Sequence, residues 1–109
     1  MKIFISMGMK SKSTEQVRNE MNKVFEQIKK KLPDAELVDS IIDDADKQIA
    51  IKGDDIGVWY LGRSIQIMAE ADMVFFVNDY EQFRGCKIER LVAESYGKLC
   101  VDFEAHIAK

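Results

Sequence analysis

The chain has 109 residues, 47% of them hydrophobic and 32% charged, which supports one globular core and not two. A formal net charge of −3 weighs against a nucleic-acid polymer as partner, because such a partner selects a basic face. No apolar run approaches the roughly 20 residues needed to cross a bilayer, and the opening MKIFIS lacks the length and cleavage region of a secretory leader. No membrane partner and a cytoplasmic location are therefore expected.

Residues 2–6 read as a first strand leading to Gly8. Ser13, with Gln16 three positions on, has the pattern of a capping box. Val17, Met21, Val24, Phe25, Ile28 and Leu32 then recur at helical spacing, and Pro33 ends the helix. Lys29, Lys30 and Lys31 sit where cations favour a helix C-terminus, so they read as a solvated helix end. Residues 35–38 form a short second strand that reaches Asp39 and Ser40.

Residues 41–55, punctuated by aspartates, have little periodicity and read as a long loop of the kind that closes over ligands. A helix is expected over residues 56–70, with Val58, Leu61, Ile65 and Met68 inward. Residues 72–77 form a strand whose continuous apolar run suits a parallel sheet covered on both faces. A helix over residues 85–96 places Ile88, Leu91, Val92 and Tyr96 inward and ends at Gly97; residues 99–103 make the last strand. The order β-α-β-α-β-α-β implies an α/β fold. We expect a three-layer α/β/α arrangement, flavodoxin- or Rossmann-like, with a four-stranded parallel sheet in the order 2-1-3-4.

In such a sheet, ligands bind beyond the carboxyl ends of the strands, at the switch point between strands one and three. The polar residues brought there are Ser6, Gly8 and Lys10 after strand one, Asp39 and Ser40 after strand two, and Asn78, Asp79 and Gly85 after strand three. Glu89 follows in the next helix, about 80° from the centre of the expected apolar stripe at about 100° per residue, so it should sit at the rim of the core. Being in the first turn, it also feels the positive end of the helix dipole, which favours its carboxylate form. A carboxylate beside an apolar wall is a suitable nucleophile for an anomeric carbon, whose transition state has oxocarbenium character. Trp59 and Tyr60 read either as core packing or as a stacking wall for a base. Asp72 reads as the closure of a helix-to-strand turn. Cys86 and Cys100 have neither CxxC spacing nor companion histidines, so no metal site is expected, and His106 falls in a polar tail.

The segments Lys2-Ile3-Phe4-Ile5-Ser6-Met7-Gly8-Met9, Tyr60-Leu61-Gly62-Arg63-Ser64-Ile65 and Ala71-Asp72-Met73-Val74 resemble the nucleoside 2-deoxyribosyltransferase-like superfamily. So does Arg84-Gly85-Cys86-Lys87-Ile88-Glu89 with Ala93, which is similar to that family's G-x-x-x-E-x-x-x-A helix start. The resemblance is to its small phage and bacterial members and runs nearly end to end. It implies that Glu89 attacks C1′ of a 2′-deoxynucleoside and that the covalent sugar passes to another base or to water. It implies a small-molecule nucleoside or nucleotide as ligand and no cofactor. A homodimer or larger oligomer is also implied, with residues 59–68 as a contact. The chain departs from the family at Ser64, where relatives carry an aspartate eight residues before the one matched by Asp72. A serine hydroxyl can hydrogen-bond a sugar but cannot serve as a carboxylate acid or base. Transfer, hydrolysis and binding without turnover all remain open at this point.

Overall fold

The computed structural model describes residues 1–8, 12–42, 54–77 and 80–107. In chain order the elements are β1 (Lys2–Ser6), α1 (Thr14–Lys31), β2 (Glu36–Leu37), α2 (Asp54–Met68), β3 (Met73–Phe76), a 3-10 turn (Tyr80–Gln82), α3 (Arg84–Ser95), β4 (Leu99–Asp102) and a short α4 (Phe103–His106). The four strands form one parallel sheet in the order β2-β1-β3-β4, as expected from the alternation of elements. Ser6 stands opposite Phe76, and Phe76 opposite Asp102, so these three residues mark the carboxyl edge of the sheet.

Local chemistry explains the helix limits. Ser13 Oγ accepts from the Gln16 backbone N–H at 3.1 Å, while Gln16 Oε1 accepts from the Ser13 N–H at 2.8 Å, completing the capping box. Buried Val17, Met21, Val24 and Ile28 form the inner face of α1. At the end of α3, Gly97 adopts φ 76°, a left-handed conformation that costs glycine little. The Lys98 N–H then donates to the Ala93 carbonyl and the Gly97 N–H to the Glu94 carbonyl, the pair of bonds of a Schellman cap. The same reversal lets Lys98 Nζ donate to the carbonyls of Ala69 at 3.2 Å and Ala71 at 2.6 Å, just past α2.

Alternation along the strands divides the core. Ile3, Ile5 and Phe75 join the inner face of α1 and Phe103 in one cluster. Phe4, Val74 and Phe76 point to the opposite face, where they meet Met68 and Ala71 at the end of α2 and Ala93 of α3. At the amino edge, the Lys2 N–H donates to Asp72 Oδ2 at 2.8 Å and the Asp72 N–H donates to the Lys2 carbonyl. Asp72 therefore joins β1 to β3 at the end of the sheet away from Ser6. This is its role in the fold.

Several expectations change. In α3, Leu91 is 66% exposed and Tyr96 83% exposed, whereas Cys86, Glu89 and Ala93 are buried. The helix lies close to the sheet, and a close approach selects small side chains and a hydrogen-bonded carboxyl over the larger hydrophobes. Val58, expected inward on α2, is exposed, and the buried anchor of that helix is Met68. Gly85, counted from sequence among the loop residues after strand three, lies in the first turn of α3; a Cβ there would meet Leu61 Cδ1 at an ordinary 3.9 Å. A 3-10 turn precedes that helix, and α4 takes up Phe103, assigned from sequence to the last strand. Most of the expected loop over residues 41–55 lies outside the described residues. Among the described residues no helix is long and apolar enough to cross a membrane.

Candidate functional site

The cluster that contains Phe4, Met68 and Ala93 fixes where the polar residues fall. Ser6 lies two residues beyond Phe4 on the same strand face, about 6–7 Å toward the carboxyl edge. Helices α2 and α3 run antiparallel to the strands they precede or follow, so one turn back along each, about 5.4 Å, also moves toward that edge. One turn before Met68 is Ser64, and one turn before Ala93 is Glu89. Strand and helix periods thus bring Ser6, Ser64 and Glu89 to one level above the apolar cluster.

The three side chains are bonded to each other. Ser6 Oγ donates to Glu89 Oε1 at 2.8 Å, and Ser64 Oγ donates to Glu89 Oε2 at 2.5 Å. Ser6 is 1% exposed and Glu89 6% exposed, so the carboxyl is held almost out of water. Among the described residues no cation acts on it. Burial pushes the Glu89 carboxyl above the ordinary carboxylate range, and the hydroxyls of Ser64 and then Ser6 oppose that rise by stabilising the anion. This corrects the expectation of a rim carboxylate ionised by the helix dipole. Glu89 is the sixth residue of α3, past the first turn where the dipole acts most strongly.

Cys86 completes the buried face of α3 one turn earlier, in contact with Ser6. Burial pushes its thiol up, the Ser6 hydroxyl opposes this, and the negative charge of Glu89 adds to the rise. A thiol so placed is a packing group, not an activated nucleophile. The i, i+3 spacing of Cys86 to Glu89 is the sequence signal for this shared face.

The other candidates separate into distinct surroundings. Gly8 is buried, and a Cβ built on it would stand 2.3 Å from ring atoms of Phe83. The phenyl ring of Phe83 therefore lies directly on the Gly8 backbone, a contact with no local sequence signal. Ser40 is 1% exposed, but its hydroxyl points at Met21 Sδ of α1, 3.5 Å away, on the sheet face opposite Glu89. Asp39 accepts from the Ile41 N–H at 3.0 Å in a local turn and is exposed. Trp59 and Tyr60 form an edge-to-face pair, ring centroids 5.0 Å apart, both half-buried. Gly85 packs near Leu61, between α3 and α2. Lys10, Asn78 and Asp79 lie outside the described residues.

Arg90, one residue after Glu89, faces elsewhere. Its guanidinium lies 4.9 Å from the Phe76 ring centroid and 5.2 Å from that of Tyr80, and pairs with Glu94 and Asp102. It braces the β3 and β4 ends beside a cavity of about 390 Å³ lined by Phe76, Val77, Tyr80, Glu81, Asp102, Glu104 and Ala105. Among the described residues no three His, Cys, Asp or Glu side chains group as a metal site would need.

Comparison of the chain with family models, curated proteins and solved structures returned no match.

Proposed function

We propose that the Ser6–Ser64–Glu89 constellation cleaves or exchanges the N-glycosidic bond of a 2′-deoxynucleoside or its monophosphate, with Glu89 as nucleophile. The observation that carries this reading is a nearly dry carboxyl, at the strand ends beside the switch point, with one serine hydroxyl on each oxygen. Low local polarity strengthens charge interactions in the site, and a carboxylate there opposes the positive charge that grows on C1′ as the base departs. Ser6 is buried with Glu89 and holds Oε1. Ser64 is the partner a sugar hydroxyl would replace, which frees Oε2 to bond to carbon. The resemblance to the deoxyribosyltransferase-like superfamily assigns the same role to the same residue.

In the proposed first step the Glu89 Oε2–C1′ bond forms and the C1′–N bond breaks. Its electron pair goes to the base nitrogen, which takes a proton from water. In the second step water, or the nitrogen of another base, attacks C1′. The ester bond then breaks, the carboxylate returns, and the attacking group sheds its proton.

The covalent intermediate is the test. Acid quenching during turnover of a panel of deoxynucleosides and their monophosphates, followed by peptide mass spectrometry, should place a deoxyribosyl increment on the Glu89 peptide and detect free base. Ligand binding with neither adduct nor free base would favour a second reading, a binding module on the same crevice. The pairing of both carboxyl oxygens with hydroxyls and the raised pKa give that reading its support.

The pH profile carries a sign. A nucleophilic carboxyl must be unprotonated, so kcat/KM should fall as pH drops through a Glu89 pKa above the ordinary range. Ser64→Ala removes a donor that favours the anion and should move this limb to higher pH. A limb that stays in place, or moves to lower pH, would remove Ser64 from the charge-stabilising role.

A further inference from the structure

We propose that Phe83 selects unphosphorylated ligands: its ring covers the glycine backbone of the first loop, and the site takes a nucleoside in preference to a nucleoside 5′-monophosphate. This inference rests on the glycosidic reading of Glu89 and narrows its substrate class.

A glycine after the first strand of a parallel sheet ordinarily offers an open backbone to an anionic group, because no Cβ stands in the way. Here that space is filled. Three ring atoms of Phe83 lie 2.3 to 2.4 Å from where a Gly8 Cβ would be, and Gly8 is buried. Glycine at position 8 thus admits a side chain of the chain itself, and its backbone is closed to solvent.

The ring also stands near the Ser6–Glu89 pair, through its seat on Gly8. Phe83 is the N-cap residue of the helix, Cys86 is three residues on and Glu89 three further, while Ser6, bonded to Glu89, lies two residues before Gly8. The ring therefore covers the chain two residues beyond the serine that holds the carboxyl. A phosphate carries close to two negative charges and needs hydrogen-bond donors. A phenyl face supplies none, and its quadrupole presents negative charge to the ligand. Glu89 itself adds no attraction for an anion. Arg84, exposed at the start of α3, turns toward the start of α2, its guanidinium 3.9 Å from where a Gly57 Cβ would stand.

The test is a comparison of kcat/KM for a deoxynucleoside and its 5′-monophosphate on the wild-type chain and on Phe83→Leu and Phe83→Ala. The wild type should favour the nucleoside at least tenfold. Phe83→Leu keeps an apolar wall and should keep most of that preference. Phe83→Ala uncovers Gly8 and should reduce the preference several-fold. Equal or better use of the monophosphate by the wild type overturns the inference, most directly if Arg84→Ala then abolishes it, and leaves the glycosidic reading standing. An unchanged preference in a folded Phe83→Ala variant also overturns it. Release of base from neither compound would instead overturn the underlying reading, and the inference with it.

Discussion

Glu89→Gln is expected to cut base release by at least about a thousandfold while making the protein more stable. The amide cannot bond to C1′, so the activity loss should appear in kcat with the fold intact. Its carbonyl can accept from one serine and its NH₂ can donate to the other, so neither Ser6 nor Ser64 is left without a partner. What disappears is a carboxyl that must be desolvated to ionise. The sign of the linkage follows from its raised pKa in the folded state. The stabilisation from holding the proton is complete below the unfolded carboxylate value and is lost as pH rises through the higher folded value. Wild-type stability should thus fall across a window above the ordinary carboxylate range, and the glutamine variant should lack that step. At pH 7 a gain of about 1 kcal/mol would raise Tm by about 4–8 °C. Thermal melts across pH, paired with base-release assays, measure both effects. Retained turnover would exclude Glu89 as nucleophile, and parallel melting curves at all pH values would remove the linkage.

Phe75→Ala should have the largest effect on folding and little effect on chemistry. Phe75 is 0% exposed and pairs with Ile5 on one side and Val101 on the other, in the cluster that packs on α1. Removing a buried phenyl typically costs about 3–5 kcal/mol, from lost burial and the cavity left behind. A domain of this size has roughly 5–15 kcal/mol in all, so the urea midpoint should fall sharply. Ser6, Ser64 and Glu89 lie across the sheet from the deleted ring. Below the new melting range, turnover per folded molecule should remain within a few-fold of wild type. A loss of activity out of proportion to unfolded protein would show that the two faces of the sheet are coupled.

These two substitutions mark what the sequence made legible. The sheet order followed from alternating elements and apolar strand runs, and the Ser13–Gln16 capping box followed from four consecutive residues. Both are local signals. The position of Glu89 at the strand ends was also legible, from the helix start that precedes it. Its environment was not. Hydropathy placed Leu91 and Tyr96 inward, but the inner face of α3 is chosen by how closely the helix meets β3 and β4, and Cys86, Glu89 and Ala93 fit that gap. The partner that makes Glu89 acceptable there is Ser6, 83 residues away in the chain. The seat of Phe83 on Gly8 is equally non-local. A glycine that makes room for a ring and a glycine that makes room for a ligand look the same in sequence. Ser64 was read as a sugar contact in place of a missing aspartate, yet its hydroxyl is bonded to the carboxyl itself.

The ammonium of Lys98 has a mechanical consequence. By holding the carbonyls of Ala69 and Ala71, it ties the foot of α2 to the foot of α3 at the amino side of the sheet. Toward the carboxyl edge the two rods meet again, through the Ser64 hydroxyl on Glu89 and, farther along, through Leu61 beside Gly85 and Arg84 beside Gly57. A ligand that displaced the Ser64 hydroxyl would therefore enter between two rods pinned at their far ends.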